Sequence, residues 1–187
     1  MLKKSPEAFV FMKVGNHSGE SFEEILERKN REFRQTGRIF WGYGGNVCHP
    51  LAQVQPFVRL HIKELGSVYL LMEYVDSRAK PDLLPAKEYS DDGILWRPVP
   101  DGIRVTGSRY AFVLDEIRPG DLDLLPEDYV VGIGPSRGRL GSEFLRGRTD
   151  KACLTRMRSS DRLLGGSKSK HITFAAKLLE PYAVVLR

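Results

Sequence analysis

The sequence predicts an α+β fold: a single domain over residues 1–187, with a curved or barrel-like mixed sheet of short strands and few helices. Three observations support this class. Short apolar runs of strand length recur along the chain, one segment has clear helical periodicity, and strands do not alternate regularly with helices. A hydrophobic fraction of 41% over 187 residues is typical of one globular domain.

The first predicted elements are a buried strand and an amphipathic helix. The apolar run at 8–14 predicts the strand. The sequence SFEE, from Ser21 to Glu24, is a capping box, in which the serine hydroxyl accepts a hydrogen bond from the glutamate amide and the carboxylate reaches back. Apolar residues follow at helical spacing, and Gly37 can end the helix in the left-handed conformation. The pattern therefore predicts a helix over 21–36.

The remaining elements are predicted to be short. A second helix is expected from Pro56, ending at Gly66. Proline-rich residues 76–102 and the polar segment 121–129 are expected to be loops, except for a short strand at 94–99. The other strands are expected at 67–75, 109–117, 129–134, 171–179 and 182–187, the last two separated by Pro181.

The positive charge is concentrated in the last third of the chain. The net charge is +5, but residues 1–133 carry −3 and residues 134–187 carry +8. In the basic Gly/Arg-rich segment at 134–170, glycine lets backbone amides approach an anion and arginine binds phosphate through its planar fork. We therefore expect an anionic ligand, either RNA, DNA or a nucleotide; a solvated loop without a partner is the alternative interpretation. The arginines expected to neutralise phosphate are Arg137, Arg139, Arg146 and Arg148.

The stretch RIFWGYGGNVCHP, residues 38–50, places large rings among glycines. Beside a basic face, Trp41 and Tyr43 are expected to stack on bases, which is how many proteins bind single-stranded or extruded nucleotides. The alternative is that Phe40 and Trp41 belong to the core and only Tyr43 is exposed. The ligand-binding residues predicted here are Trp41, Tyr43, Gly44, Gly45, Asn46 and Gln53.

Two other functions fit the same residues. A small enzyme acting on a phosphorylated or nucleotide-like substrate could use Cys48 or His49 together with Asp115 or Glu116. An adaptor could dock an acidic protein on its basic face. In the leading hypothesis, a binding module, no residue is catalytic, and neither a cofactor nor a metal is expected, because no cysteine or histidine has the spacing of a zinc site.

The chain has no signal that predicts a membrane or secreted location. No apolar run approaches the ~18 residues that span a bilayer, and the apolar run behind the N-terminal lysines is too short for a signal peptide. We therefore expect no membrane partner and a cytoplasmic location. Two cysteines are no disulfide framework, so Cys48 and Cys153 are expected to be reduced and unpaired.

The order of these segments resembles the PUA-like superfamily, particularly its EVE branch. The similarity covers about the first 140 residues and consists of FVFMKV, the helix from Ser21, FWGYGG, GSVYLLMEY, RYAFVLDEIRP and GRL in this order. The resemblance implies a small barrel with an aromatic-lined pocket for a modified base or RNA. It adds weight to a nucleic-acid or nucleotide-binding function, without identifying the ligand.

Overall fold

The computed structural model describes residues 4–17, 19–78, 84–146, 149–158 and 168–187. Within them the chain forms one mixed sheet with few helices, so the predicted α+β class is confirmed. The helices are α1 (Phe22–Thr36), α2 (Gln55–Leu65) and α3 (Gly141–Phe144), with a π-helical turn at Pro50–Val54 and a 3-10 turn at Pro126–Asp128. The strands are β1 (Ala8–Asn16), β2 (Ile39–Tyr43), β3 (Tyr69–Arg78), β4 (Glu88–Ser90), β5 (Arg97–Pro98), β6 (Tyr110–Leu114), β7 (Arg118–Leu124), β8 (Tyr129–Val131), β9 (Lys151–Arg156) and β10 (Lys170–Leu186).

The main path of the sheet runs β2-β6-β10-β3-β1-β9-β8. Strands β1 and β3 pair in parallel, and the other described pairs are antiparallel. Strand β10 joins the two halves of the sheet, one formed by β2 and β6 and the other by β3, β1, β9 and β8. Its first part pairs with β3 and β7, and its last part pairs with β6 and β4. The described strands leave the sheet open, with β2 and β8 at its two ends rather than paired into a barrel.

Helix α1 forms as the sequence predicts. The Ser21 amide donates to Glu24 Oε2 at 2.7 Å, and the Glu24 amide donates to Ser21 Oγ at 3.3 Å, which completes the capping box. Gly37 ends the helix with φ +73°, and its amide donates to the Phe33 carbonyl. The buried face of α1 packs Phe22 and Ile25 into the core beside β2. This packing places Lys29 of the same helix against β2, where its ammonium donates to the Phe40 carbonyl.

Two predictions for the second half of the chain are wrong, and one strand was not predicted. Residues 121–124, expected to belong to a loop over 121–129, are part of strand β7, because Leu122 and Leu124 face the sheet while Asp121 and Asp123 remain exposed. The strand that was not predicted is β9, at residues 151–156 of the basic segment, most of which are buried in the sheet. The final strand runs through Pro181 without a break, because its pairing shifts register between Leu178 and Ala183 and no ladder bond is needed at the proline.

Within the proline-rich stretch, the described residues 76–78 and 84–102 are mostly irregular, as expected, apart from the end of β3 and the short strands β4 and β5. The strand predicted at 94–99 is reduced to the two residues of β5, which pair with β4. Helix α2 begins at Gln55, one residue before the predicted start, and ends at Gly66 with φ +70°. In the described part of the chain, no helix combines the length and the apolar character needed to cross a membrane.

Candidate ligand-binding cavity

A cavity of about 430 Å³ lies where the ends of β1 and β2 meet α1. Five segments line it: 12–17 of β1 and the following turn, the inner face of α1, residues 41–45, the loop 104–108, and residues 150–151 at the start of β9. These segments are distant in sequence, so the cavity exists only in the folded chain. Its volume falls within the range of about 300–1,000 Å³ that is typical of small-molecule sites.

The aromatic rings at this cavity belong to the core. The Trp41 and Tyr43 residues are 6% and 4% exposed. The Trp41 ring packs edge-on against Phe22, with ring centres 6.3 Å apart, and the Tyr43 ring stacks on Phe112 at 4.1 Å. The expectation of two exposed stacking platforms is therefore corrected, and so is the alternative in which Tyr43 alone is exposed. Both residues still line the cavity as part of its wall.

The Tyr43 hydroxyl fixes the loop that follows β2. It donates a hydrogen bond of 2.6 Å to the carbonyl of Cys48 in the buried interior. Burial raises the pKa of Tyr43 well above its ordinary value, so the hydroxyl remains a donor at neutral pH. Residues 44–48 are thus anchored at both ends, although they form no regular element.

The glycines beside the rings have different structural reasons. A side chain at Gly42 would collide with Ser108 and lie 2.7 Å from Val105 Cγ2, so glycine lets the 105–108 loop pack against β2. Gly45 has φ +84°, which favours glycine. Gly44 lines the cavity, and a Cβ there would meet no atom within 4 Å. The glycine-rich stretch therefore combines close packing on one side with open space on the other.

Cationic side chains from four segments line the cavity. These residues are Lys13, Arg28, Lys29, Arg104 and Lys151. Arg28 Nη2 contacts Glu20 Oε2 at 2.7 Å, and Nη1 lies 3.2 Å from Glu32. Both of these carboxylates therefore compensate positive charge inside the protein.

Lys29 ties the walls of the cavity together. Its residue is 4% exposed. Its Nζ donates to Glu32 Oε2 at 2.9 Å and to the carbonyls of Phe40 and Arg104 at 2.7 Å each. Burial lowers the pKa of Lys29 to about 8, against the opposing effect of Glu32. The contacts join α1, β2 and the 104–108 loop, so Lys29 shapes the site rather than offering a charge to a ligand.

Three further cations line the cavity: Lys13 from β1, Lys151 from β9 and Arg104 from the 104–108 loop. Lys151 is buried and contacts both Asp150 carboxylate oxygens at 2.6 Å, with its ammonium 6.0 Å from the Tyr43 ring centre. Burial, followed by repulsion from Lys170, lowers the pKa of Lys13. Arg104 is exposed, and its backbone amide donates to Glu32 Oε1 at 3.0 Å, so the backbone of this arginine is held in place.

The two polar residues predicted to bind the ligand lie elsewhere. Asn46 and Gln53 line a second cavity of about 150 Å³. Gln53 Oε1 accepts a hydrogen bond from the His49 amide at 2.8 Å, which occupies that oxygen within the protein. The structure thus separates these two residues from Gly44 and Gly45, which line the main cavity.

The predicted arginines also lie outside the main cavity. Arg137, Arg139 and Arg146 are exposed, and none of them is among its lining residues. Arg139 has a loose ion pair with Glu143, at 3.8 Å, on the surface. Arg148 falls outside the described residues.

The structure does not assemble the alternative enzyme site. Cys48 is 1% exposed, and His49 Nδ1 accepts hydrogen bonds from the amides of Leu51 and Ala52, which caps the π-helical turn. The His49 ring contacts Tyr110, at one end of β6, whereas Asp115 and Glu116 follow its other end. Four residues of strand separate these ends, roughly 13 Å.

Asp115 has a structural role of its own. Its Oδ1 accepts a hydrogen bond of 2.6 Å from the Lys177 amide, and burial raises its pKa. It lines a third cavity, of about 150 Å³, together with Glu116. Among the described residues, no three His, Cys, Asp or Glu side chains form a group that could hold a metal ion.

Comparison of the chain with family models, curated proteins and solved structures finds no match. The resemblance to the PUA-like superfamily therefore stays a prediction. The candidate site rests on the geometry of this chain alone.

Sequence reasoning found the aromatic and glycine wall of the cavity but missed its cations. Lys13 interrupts an apolar strand, Arg104 lies in the irregular segment before β6, and Lys151 begins β9. No local motif connects these three positions. The one available signal was the lysine inside the apolar run of β1, since a charged residue in a buried strand requires a partner or a cavity.

Proposed function

We propose that the main cavity binds a nucleotide, either free or within an RNA or DNA chain, and that the protein acts as a binding module. One observation carries the proposal: the aromatic–glycine stretch 41–45 and the cations Lys13, Arg104 and Lys151 converge on one cavity of about 430 Å³. An apolar wall beside convergent charge suits a ligand with an aromatic part and an anionic part.

The base would lie against the apolar and glycine part of the wall. Trp41 and Tyr43 line this part of the wall, and the open space at Gly44 allows a planar group to approach the backbone. Because both rings are held in the core, they provide a preformed surface.

The phosphate would lie near Lys13, Lys151 and Arg104. The Lys151 ammonium is held by Asp150, so it is positioned before a ligand arrives. Arg104 is exposed on a loop whose backbone is fixed by α1, and its planar guanidinium can bind phosphate through two parallel hydrogen bonds. The exposed arginines of the basic segment are not needed for this binding mode.

Tryptophan fluorescence provides a direct test. The chain has two tryptophans. Trp96 lies elsewhere, beneath the Arg187 guanidinium. Trp96→Phe therefore leaves Trp41 as the single reporter in the cavity wall. We expect AMP, GMP, CMP or UMP, or a short single-stranded oligonucleotide, to change Trp41 emission in a saturable way. No saturable change with any of these probes would overturn the proposal.

Matched variants distinguish this cavity from the basic segment. Arg104→Gln should weaken binding about tenfold or more, since hydrogen bonds to charged groups contribute about 1.5–3 kcal/mol. Arg137→Gln is the control, being exposed and outside the cavity. Gly44→Leu should block the ligand more strongly than Gly44→Ala, because both side chains enter open space but differ in size. Equal losses for Arg104→Gln and Arg137→Gln would instead place the ligand on the basic surface.

A further inference from the structure

Two buried thiols meet beside the second cavity. Cys48 Sγ lies 3.9 Å from Cys153 Sγ, although the residues are 105 positions apart in sequence. Their exposures are 1% and 3%, and both are free cysteines. A disulfide has a sulfur–sulfur distance of about 2.05 Å, so the two sulfurs would have to approach by about 2 Å to bond.

The two cysteines lie on different kinds of backbone. Cys153 lies within β9, opposite Val10 of β1, and is held by the sheet. Cys48 lies outside any helix or strand, at φ +60°, a conformation that is uncommon for a residue with a side chain. Rotation of the Cys48 side chain about its Cα–Cβ bond can shorten the distance while the Cys48 carbonyl keeps its hydrogen bond from Tyr43 and the ladder between β1 and β9 stays in place.

A small oxidant can reach the sulfurs. Both cysteines line the second cavity, of about 150 Å³, whose lining also includes the exposed residues Asn46 and Pro135. This volume accommodates molecules of the size of a few waters. Hydrogen peroxide is little larger than water, whereas a tripeptide disulfide such as oxidised glutathione is too large for the cavity.

We propose that Cys48 and Cys153 form a dithiol site that hydrogen peroxide oxidises to an intramolecular disulfide. In the first step a thiolate attacks one peroxide oxygen, the O–O bond breaks, and the products are a sulfenic acid and, after proton uptake, water. In the second step the other thiol attacks the sulfenic sulfur, the S–O bond breaks, and a second water leaves. Overall, the two thiols lose two protons and two electrons, and one peroxide takes them up to give two waters.

The two cysteines have different roles in this sequence. The contact with Cys48, together with burial, raises the pKa of the Cys153 thiol well above its ordinary value. Cys153 is also held in the ladder between β1 and β9, whereas Cys48 lies on irregular backbone two residues after exposed Asn46, so Cys48 is the attacking residue. Cys153 then resolves the sulfenic acid. The site does not depend on what binds in the main cavity.

The wild-type protein tests the bridge directly. Protein treated with hydrogen peroxide is quenched, denatured and alkylated with iodoacetamide, then analysed by intact mass and peptide mapping. We expect both alkylation sites to be lost, a Cys48–Cys153 linked peptide, a monomeric mass, and full recovery after dithiothreitol. Two alkylated thiols, a disulfide between chains, or oxidation to sulfinic acid without a bridge would each overturn the proposal.

Single variants test the order of attack. In Cys153→Ser, peroxide and dimedone should label Cys48 with the sulfenic-acid adduct, whereas Cys48→Ser should leave Cys153 unlabelled under the same conditions. Circular dichroism first establishes that each variant is folded; Cys→Ala versions replace any that is not. Stronger labelling of Cys153 than of Cys48 would overturn the assigned roles, while the wild-type measurement continues to test the bridge.

Discussion

The main cavity and the first part of the basic segment, residues 134–146, use positive charge differently. At the cavity, the Lys151 ammonium is held by Asp150 at 2.6 Å, and the backbone of Arg104 is held by Glu32 of α1. On the segment, Arg137, Arg139 and Arg146 extend from turns into solvent. Charge density along the sequence favours the segment, but positioned charge favours the cavity. A run of arginines therefore indicates a charged, solvent-exposed surface, whereas a binding site requires charges whose geometry the fold has fixed.

Exposed and buried charges also contribute differently to the free energy of unfolding. Exposed ion pairs such as Arg139–Glu143 typically contribute about 0–1 kcal/mol and are screened by salt. Buried charges interact more strongly but must be compensated, because an isolated charge in the interior is costly. The carboxylates of Glu20, Glu32 and Asp150 provide this compensation around the cavity. Mutations should therefore separate the two regions by their effects on stability.

The largest effect is expected for Trp41→Ala. Removing a buried ring from the cavity wall should lower the free energy of unfolding by about 3–5 kcal/mol. Urea denaturation followed by circular dichroism measures it. Trp96→Ala is the control, because Trp96 is half-buried and packs against Arg187 near the surface. Equal losses in the two variants would mean that Trp41 is not a core residue.

The pH dependence of stability tests the buried charge. The folded protein holds the pKa of Lys29 at about 8, below its ordinary value of 10.5, so above pH 8 the unfolded chain binds the proton more tightly. The free energy of unfolding should therefore rise with pH, by about 2 kcal/mol between pH 8 and pH 10 from this group. Comparison with Lys29→Met isolates the contribution. Parallel pH profiles for the two proteins would contradict the lowered pKa.

A smaller effect is expected at the start of the helix that carries Arg28 and Lys29. Ser21→Ala removes the hydroxyl that accepts from the Glu24 amide and should lower the free energy of unfolding by about 1 kcal/mol. Glu27→Ala, an exposed change on the same helix, is the matched control. Chemical denaturation measures both variants. Equal free energies of unfolding for the two variants would mean that the capping box does not stabilise α1.

The smallest effect is expected on the basic segment. Replacing both Arg137 and Arg139 by alanine should change the free energy of unfolding by no more than about 0.5 kcal/mol, because both side chains are exposed. Arg28→Ala should cost about 2 kcal/mol through its lost charged hydrogen bonds. Thermal or urea denaturation compares them. A large loss in the double variant would show that the segment is as firmly integrated as the cavity.

The sequence predicts best those features that are encoded locally. The capping box at Ser21, the glycine stops at Gly37 and Gly66, and the apolar strand β1 each depend on a few neighbouring residues. Features that depend on distant pairing were predicted less well. Strand β9 is a short run of six residues inside the basic segment, and it becomes a strand because β1 and β8 provide partners on both sides.

The candidate site was predicted in part for the same reason. The local pattern around Trp41 identified one wall, including Gly44 and Gly45. The cations that complete the cavity come from β1, the 104–108 loop and β9, and only the folded sheet brings them together. The burial of Tyr43 was also missed, since its stacking partner Phe112 lies on a strand that begins 67 residues later in the chain.

Strand β10 follows every other described element in chain order, and it is the strand that joins β3 to β6 at the centre of the sheet. During synthesis the two halves of the sheet therefore remain unconnected until residues 170–186 have left the ribosome. Strands β6 and β3 expose unpaired edges during this interval, and such edges are prone to pair with other chains. The nascent protein should consequently depend more on chaperones than a domain whose sheet closes early.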